Sequence, residues 1–145
     1  MERIMSMLEK AIELAARAHA GQVDKAGEPY ILHPLRLMFS VTGENERITA
    51  VLHDIVEDTT TTLADLRALG FPEDVVTAVD ALTKRKGETR LEAAARAAEN
   101  SIARAVKLAD VTHNMDLSRI PSPTPKDLDR MKQYEQVRAI LLAKG

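Results

Sequence analysis

An all-α fold, one helical bundle of about eight helices, is what this sequence predicts, and three observations carry the expectation. Alanine, leucine, glutamate, arginine and lysine dominate the composition, and these residues favour helix over strand. Apolar residues recur three and four positions apart along most of the chain. No stretch of two-residue alternation is long enough for a sheet, and no internal repeat is found.

The first helix is predicted over residues 2–20, where Ile4, Leu8, Ile12 and Ala15 recur between charged residues, and Gly21 ends it. A polar loop with Gly27 and Pro29 follows. Pro34 suits a first helical turn, so a second helix is placed at residues 33–41. Residues 44–56 form a third, with Ile48, Val51, Leu52 and Ile55 on its apolar face. The threonines at 59–62 supply an N-cap for a short fourth helix, LADLRAL, that stops at Gly70. Pro72 opens a fifth, PEDVVTAVDAL, and the basic stretch TKRKGETR is a loop. LEAAARAAEN and IARAVKLADVTHNM are the sixth and seventh helices. PSPTP is too short for a domain linker, and KDLDRMKQYEQVRAILLA is the eighth helix, so residues 1–145 are expected to form one domain.

Composition narrows the function. At 145 residues the chain can bury a sizeable core. Aromatics make up 3% and Trp is absent, which leaves little surface for stacking many bases. The formal charge of −2 gives no general basic field, so nucleic acid is not an expected partner. An anionic small molecule would have to meet a local cluster of Lys and Arg. There is no Cys, which excludes disulfides, thiolate metal sites and cysteine nucleophiles. The N-terminus lacks the apolar run of a signal peptide, and no segment is long enough to span a membrane. A cytoplasmic protein without a membrane partner is the expectation. Nothing in the sequence sets an oligomeric state.

Of the four histidines, the one at position 53 stands directly beside a carboxylate. His53 and Asp54 are adjacent in VLHDIVED, with Glu57 and Asp58 four residues later, and positions four apart share a helix face. One imidazole and three carboxyls on one flank would repel unless a cation or proton sat among them. His33, in PYILHPL, and Asp110, in VKLAD, are further candidates. Two imidazoles with two carboxylates suit Mn²⁺, Fe²⁺, Co²⁺ or Zn²⁺ better than Ca²⁺. Such an ion lowers the pKa of water and polarises phosphorus, and Glu57 is placed to orient or deprotonate that water, with Asp58 beside it. Blander roles stand beside these. HD alone is weak, HDxxED can be a solvated face, His33 can cap a helix, and Asp110 can be an N-cap or a salt-bridge partner. His113 makes a DxxH pair with Asp110 and is a rival ligand, while His19 reads as structural.

HAGQVDKAGEPYILHPLRL, AVLHDIVEDT, LTKRKGETR and KLADVTHNMDL stand in the order seen in the hydrolase domains of RelA/SpoT-type alarmone enzymes. The chain resembles that family from about residue 15 to residue 134, whereas HD alone indicates only the broad HD-domain phosphohydrolase superfamily. The resemblance implies an all-helical HD domain that uses Mn²⁺ to remove pyrophosphate from the ribose 3′ position of ppGpp and pppGpp. It implies His33, His53, Asp54 and Asp110 as metal ligands, in preference to His113, and Glu57 with Asp58 as the catalytic pair. Lys25 and Asn114 would touch substrate, with Arg130 and Tyr134 at its phosphate or ribose end. Lys84, Arg85, Lys86 and Arg90 supply loop charge of the sort a polyphosphate needs, although a solvated loop has the same composition. No synthetase motifs follow, so the nearest likeness is to stand-alone small alarmone hydrolases.

The sequence also departs from the family pattern. Asp24 stands where the family has an Arg expected to stack on the purine, Asp116 replaces an Arg after HNM, and Val111 replaces a cation after Asp110. These changes leave the metal ligands in place and alter the base-recognition wall, which admits ppApp beside ppGpp. Three functions are therefore expected in decreasing order. The first is a Mn²⁺-dependent 3′-pyrophosphohydrolase of (p)ppGpp or (p)ppApp. The second is an HD-type phosphatase of a nucleoside monophosphate or NADPH, and the third is a non-catalytic nucleotide sensor.

Overall fold

The computed structural model describes residues 3–120 and 122–144. Among them are nine α-helices: α1 (Met7–Ala18), α2 (Leu32–Ser40), α3 (Glu44–Leu52), α4 (Ile55–Asp58), α5 (Leu63–Ala68), α6 (Glu73–Leu82), α7 (Arg90–Ala97), α8 (Ser101–Asn114) and α9 (Pro125–Lys144). A 3-10 turn, Leu117–Arg119, links the last two. An isolated antiparallel bridge between Val23 and Pro29 closes the loop after α1, and there is no strand among the described residues.

Capping sets most of the boundaries. The helix expected to start at residue 2, a position outside the described residues, begins instead at Met7. Ser6 accepts the Glu9 amide at 3.1 Å, and Glu9 accepts the Ser6 amide at 2.9 Å, so this reciprocal box fixes the first turn. Thr62 with Asp65, and Thr89 with Glu92, start α5 and α7 in the same way. Gly70, at φ 90°, takes the left-handed turn after α5 that lets the Phe71 amide reach back to the Leu66 carbonyl.

The expected third helix is broken in two at His53 and Asp54. In an uninterrupted helix the Ala50 carbonyl would accept the Asp54 amide. Here it accepts the His53 ring Nδ1 at 2.8 Å, with the His53 amide at 3.5 Å. Asp54, at φ −105° and ψ 3°, leaves helical geometry and starts α4 by accepting the Asp58 amide at 2.9 Å.

Helix α3 is the central element and packs on α1, α2, α6 and α8. Its Ile48, Val51 and Leu52 join Leu37, Leu66, Val75, Val79 and Val106 in the main core. A second cluster, Ala94, Ala98, Val111, Val137 and Leu141, joins α7, α8 and α9. Helix α8 borders both cores, and the candidate site lies between them. Leu66 is fully buried in the main core and does not line the cavity, so Leu66→Ala should lower stability by about 2–5 kcal/mol through lost burial and a residual cavity. Urea unfolding measures the loss, and a change below about 1 kcal/mol would show that α5 is not integral to the core.

Candidate metal centre

Four side chains from three segments meet at the junction of the cores. His33 comes from the first turn of α2, His53 and Asp54 from the break between α3 and α4, and Asp110 from the last turns of α8. Donor atoms of His33, His53 and Asp54 all lie within 4.8 Å of one another. Asp110 stands outside that compact trio but adjoins both imidazoles. Its Oδ1 is 2.8 Å from His33 Nε2 and 3.8 Å from His53 Nε2.

These residues fit a divalent cation. The Ala50 carbonyl can only accept, so His53 Nδ1 carries a hydrogen, and a ring that yields its second proton to a cation presents the lone pair of Nε2. That Nε2 is buried and makes no aligned hydrogen bond, although Asp54 Oδ2 lies 3.1 Å away. A buried nitrogen lone pair without a donor, facing carboxylate oxygens, is the arrangement a borderline metal ion satisfies.

The electrostatics agree. Burial alone would lower the His53 pKa, but Asp54 and Asp110 outweigh it and raise the imidazole to about 9. Burial would raise Asp54, and the His53 charge reverses that to about 2. Asp110 is held well below the usual carboxylate range because Lys107, 3.1 Å from its Oδ2, and His33 overcome the cost of burial. A proton on His53 thus does part of the work a cation would do. Tyr30 is pushed up by burial and by Asp54, stays a phenol, and donates its hydroxyl hydrogen to Asp54.

Above the centre opens a cavity of about 520 Å³. Glu57 lines it, with Oε1 accepting the Lys84 amide at 2.9 Å. Asp58 is exposed and is not among the lining residues. Its amide donates to the Asp54 carbonyl one turn back, and partial burial with the neighbouring Asp54 and Glu57 carboxylates raises its pKa. Lys25, Lys84, Arg90, Asn114, Arg130 and Tyr134 all line the cavity. Asn114 Nδ2 donates to Asp110 Oδ1 at 3.1 Å, and the Arg90 guanidinium lies 5.1 Å from the Tyr134 ring centroid. Arg85 and Lys86 are not among the lining residues, and Arg85 pairs with Asp80 and with the Asp80 and Thr83 carbonyls.

His113 faces the other side of His33, with the two Nδ1 atoms 2.6 Å apart. His19 is buried against Tyr30 and bonded to Gln22, in keeping with a structural part. Three participants escaped the motif analysis. Tyr30 and Lys107 each lie three residues before a candidate ligand, a spacing that was available as a signal. Asp127 accepts the Thr124 amide at the start of α9 and also holds Lys25 at 3.5 Å and Arg130 at 3.3 Å. Its sequence signal was only that of a helix cap.

A family model described as an HD domain matches residues 11–144. The chain belongs to the HD-domain family. It is 35% identical to a GTP pyrophosphokinase of Myxococcus xanthus, over 92% of this chain and 19% of that protein. It is 33% identical to a guanosine-3′,5′-bis(diphosphate) 3′-pyrophosphohydrolase of Spiroplasma citri, over 96% of this chain and 20% of that protein. The bifunctional (p)ppGpp synthase/hydrolase SpoT of Escherichia coli strain K12 is 37% identical over 74% of this chain and 17% of that protein. The chain therefore spans about a fifth of the length of these curated relatives. Among solved structures, one described as a metazoan ortholog of SpoT that hydrolyzes ppGpp and plays a role in starvation responses superposes with a TM-score of 0.76 at 25% identity. That match covers 99% of this chain and 88% of the other. The likeness to alarmone-enzyme hydrolase domains expected from motif order is borne out, and so is the helical HD fold. Among the described residues no helix is long and apolar enough to cross a membrane.

The His53 shift gives a signed pH dependence. A pKa raised from 6.5 to about 9 contributes stability that is full below pH 6.5 and lost as pH rises through 9. Asp54, depressed from 3.8 to about 2, contributes above pH 3.8 and loses that contribution as pH falls through 2. The melting temperature of metal-free protein should therefore fall between pH 6.5 and 9, and a saturating divalent cation should flatten that fall. An unchanged melting temperature across the window in metal-free protein would refute the charge pairing described.

Proposed function

We propose that this chain is a metal-dependent phosphohydrolase that removes the 3′-pyrophosphate of an alarmone nucleotide, (p)ppGpp or (p)ppApp, with Mn²⁺ held by His33, His53, Asp54 and Asp110. The observation that carries the proposal is the orphaned His53 Nε2 among carboxylates, at the floor of a cavity lined by Lys25, Lys84, Arg90 and Arg130. The activity of the Spiroplasma citri and metazoan relatives supports the same reaction. The pyrophosphokinase name of other relatives describes proteins about five times longer than the matched region.

A divalent ion in this centre supplies Lewis acidity to a phosphoryl oxygen and lowers the pKa of water. The protein supplies the rest. Lys84 engages Glu57 Oε1, which leaves Oε2 to take the proton of the attacking water. Of the expected pair, Glu57 lines the cavity and is assigned as base, and Asp58 adjoins it with a pKa raised by burial and by the Asp54 and Glu57 carboxylates. Lys25, Lys84, Arg90 and Arg130 neutralise the pyrophosphate as it leaves, and Asn114 steadies Asp110. Tyr134 offers its ring to the nucleoside, with Arg90 already against it.

Asp24 lines the cavity, but its Oδ1 accepts the Ala26 and Glu28 amides at 2.9 and 3.0 Å, so it braces its own loop. A carboxylate there cannot provide the stacking cation the family pattern has, and the proposal therefore keeps both purines. The same observation favours a second substrate class, a nucleoside monophosphate or NADPH.

Purified chain with Mn²⁺ should release pyrophosphate from ppGpp or ppApp. Orthophosphate release from NADPH or a nucleoside monophosphate alone would favour the second class, and no turnover of any of them would overturn the hydrolase. Glu57→Ala should retain Mn²⁺ binding yet lose roughly 10²–10⁴-fold in kcat, and full activity in that variant would remove Glu57 as the base.

A further inference from the structure

Lys107, the first residue of KLADVTHNMDL, is a cation to which neither the motif analysis nor the proposed reaction gives a role. It lies one helical turn before Asp110 on α8, lines the cavity, and leaves 30% of its side chain exposed. Its ammonium is 3.1 Å from Asp110 Oδ2. The other oxygen of that carboxylate has a separate set of neighbours. Oδ1 accepts from Asn114 at 3.1 Å and lies 2.8 Å from His33 Nε2 and 3.8 Å from His53 Nε2. The two oxygens of Asp110 are thus divided, one to the lysine and one to the imidazoles.

We propose that Lys107 is a positioning residue: by engaging Oδ2 it fixes the Asp110 carboxylate so that Oδ1 alone is presented to a cation among His33, His53 and Asp54. This rests on the metal centre proposed above. Without the lysine, the carboxylate is free to rotate or to turn both oxygens toward one centre. Partners that orient a metal-binding carboxylate typically govern affinity by roughly 10–100-fold.

The sign of the effect separates positioning from simple charge. A lysine beside a cation site repels the cation, so deleting its charge should tighten binding if electrostatics alone acted. Positioning requires the opposite. It also has a consequence for the substrate. Asp54 and Asp110 together cancel a divalent ion, and Lys107 adds one positive charge next to Glu57 where an anionic phosphate must approach.

The test titrates Mn²⁺ into metal-free full-length chain by isothermal calorimetry, without nucleotide, for wild type, K107M, K107Q and K107R. K107M should bind roughly 10–100-fold more weakly than wild type, and K107R, which keeps a cationic donor, should recover most of that loss. Unchanged or tighter binding by folded K107M would overturn the positioning role. K107Q is carried alongside so that a folding defect confined to the methionine variant leaves the comparison in place, and its affinity is judged by the same criterion. A wild type that binds no Mn²⁺ would instead sink the metal centre itself, which keeps the two failures apart.

Discussion

The candidate site depends on one hydrogen bond, from the His53 ring to the Ala50 carbonyl. By taking that carbonyl, the ring ends α3 a residue early and sets Asp54 outside helical geometry. The same bond places the ring hydrogen on Nδ1 and so points a lone pair from Nε2 at the acidic cluster. Local backbone geometry, ligand orientation and tautomer all follow from a single contact. An unbroken helix would have carried His53 and Asp54 on one turn about 100° apart, with less freedom to converge on one point.

Around that contact the charges are arranged so that something positive must be present. Two buried imidazoles meet two carboxylates, with Tyr30 donating to one carboxylate and Lys107 to the other. Asp54 therefore has one hydrogen-bonded brace, and Asp110 has two, Lys107 and Asn114. Buried charges cost several kcal/mol each unless paired, and the raised imidazole and depressed carboxylates show a proton meeting that need in part.

Much of this was legible in the residues themselves. Helical periodicity gave each helix to within a few positions, and HDxxED with His33 and Asp110 marked the segments that converge. The ring-to-carbonyl bond at His53 was not legible, because helix periodicity continues through residue 56 and a side chain competing for a carbonyl leaves no mark on it. Lys107 and Asp127 were missed for a different reason. Lys107 pairs with Asp110 one turn along α8, an ordinary spacing of charges on a helix, and Asp127 pairs locally with Arg130, so only its contact with Lys25 needed the fold.

The two cores divide the work of the site. All four candidate ligands come from α2, α8 and the α3–α4 junction, elements that meet in or beside the main core. Apart from Lys107, the cations and the Tyr134 ring come from the loop after α1, the loop before α7, the first residue of α7, and α9, which rests on the second core. A replacement such as Asp24 for a cation therefore changes the cavity wall while leaving the geometry of His53 and Asp54 untouched. Helix α8 alone contributes to both halves, through Asp110 and Asn114. A small rotation of α8 would shift a ligand oxygen and a substrate-facing amide together, and the Lys107 ion pair with the Asn114 hydrogen bond brace Asp110 from both ends of one helical stretch.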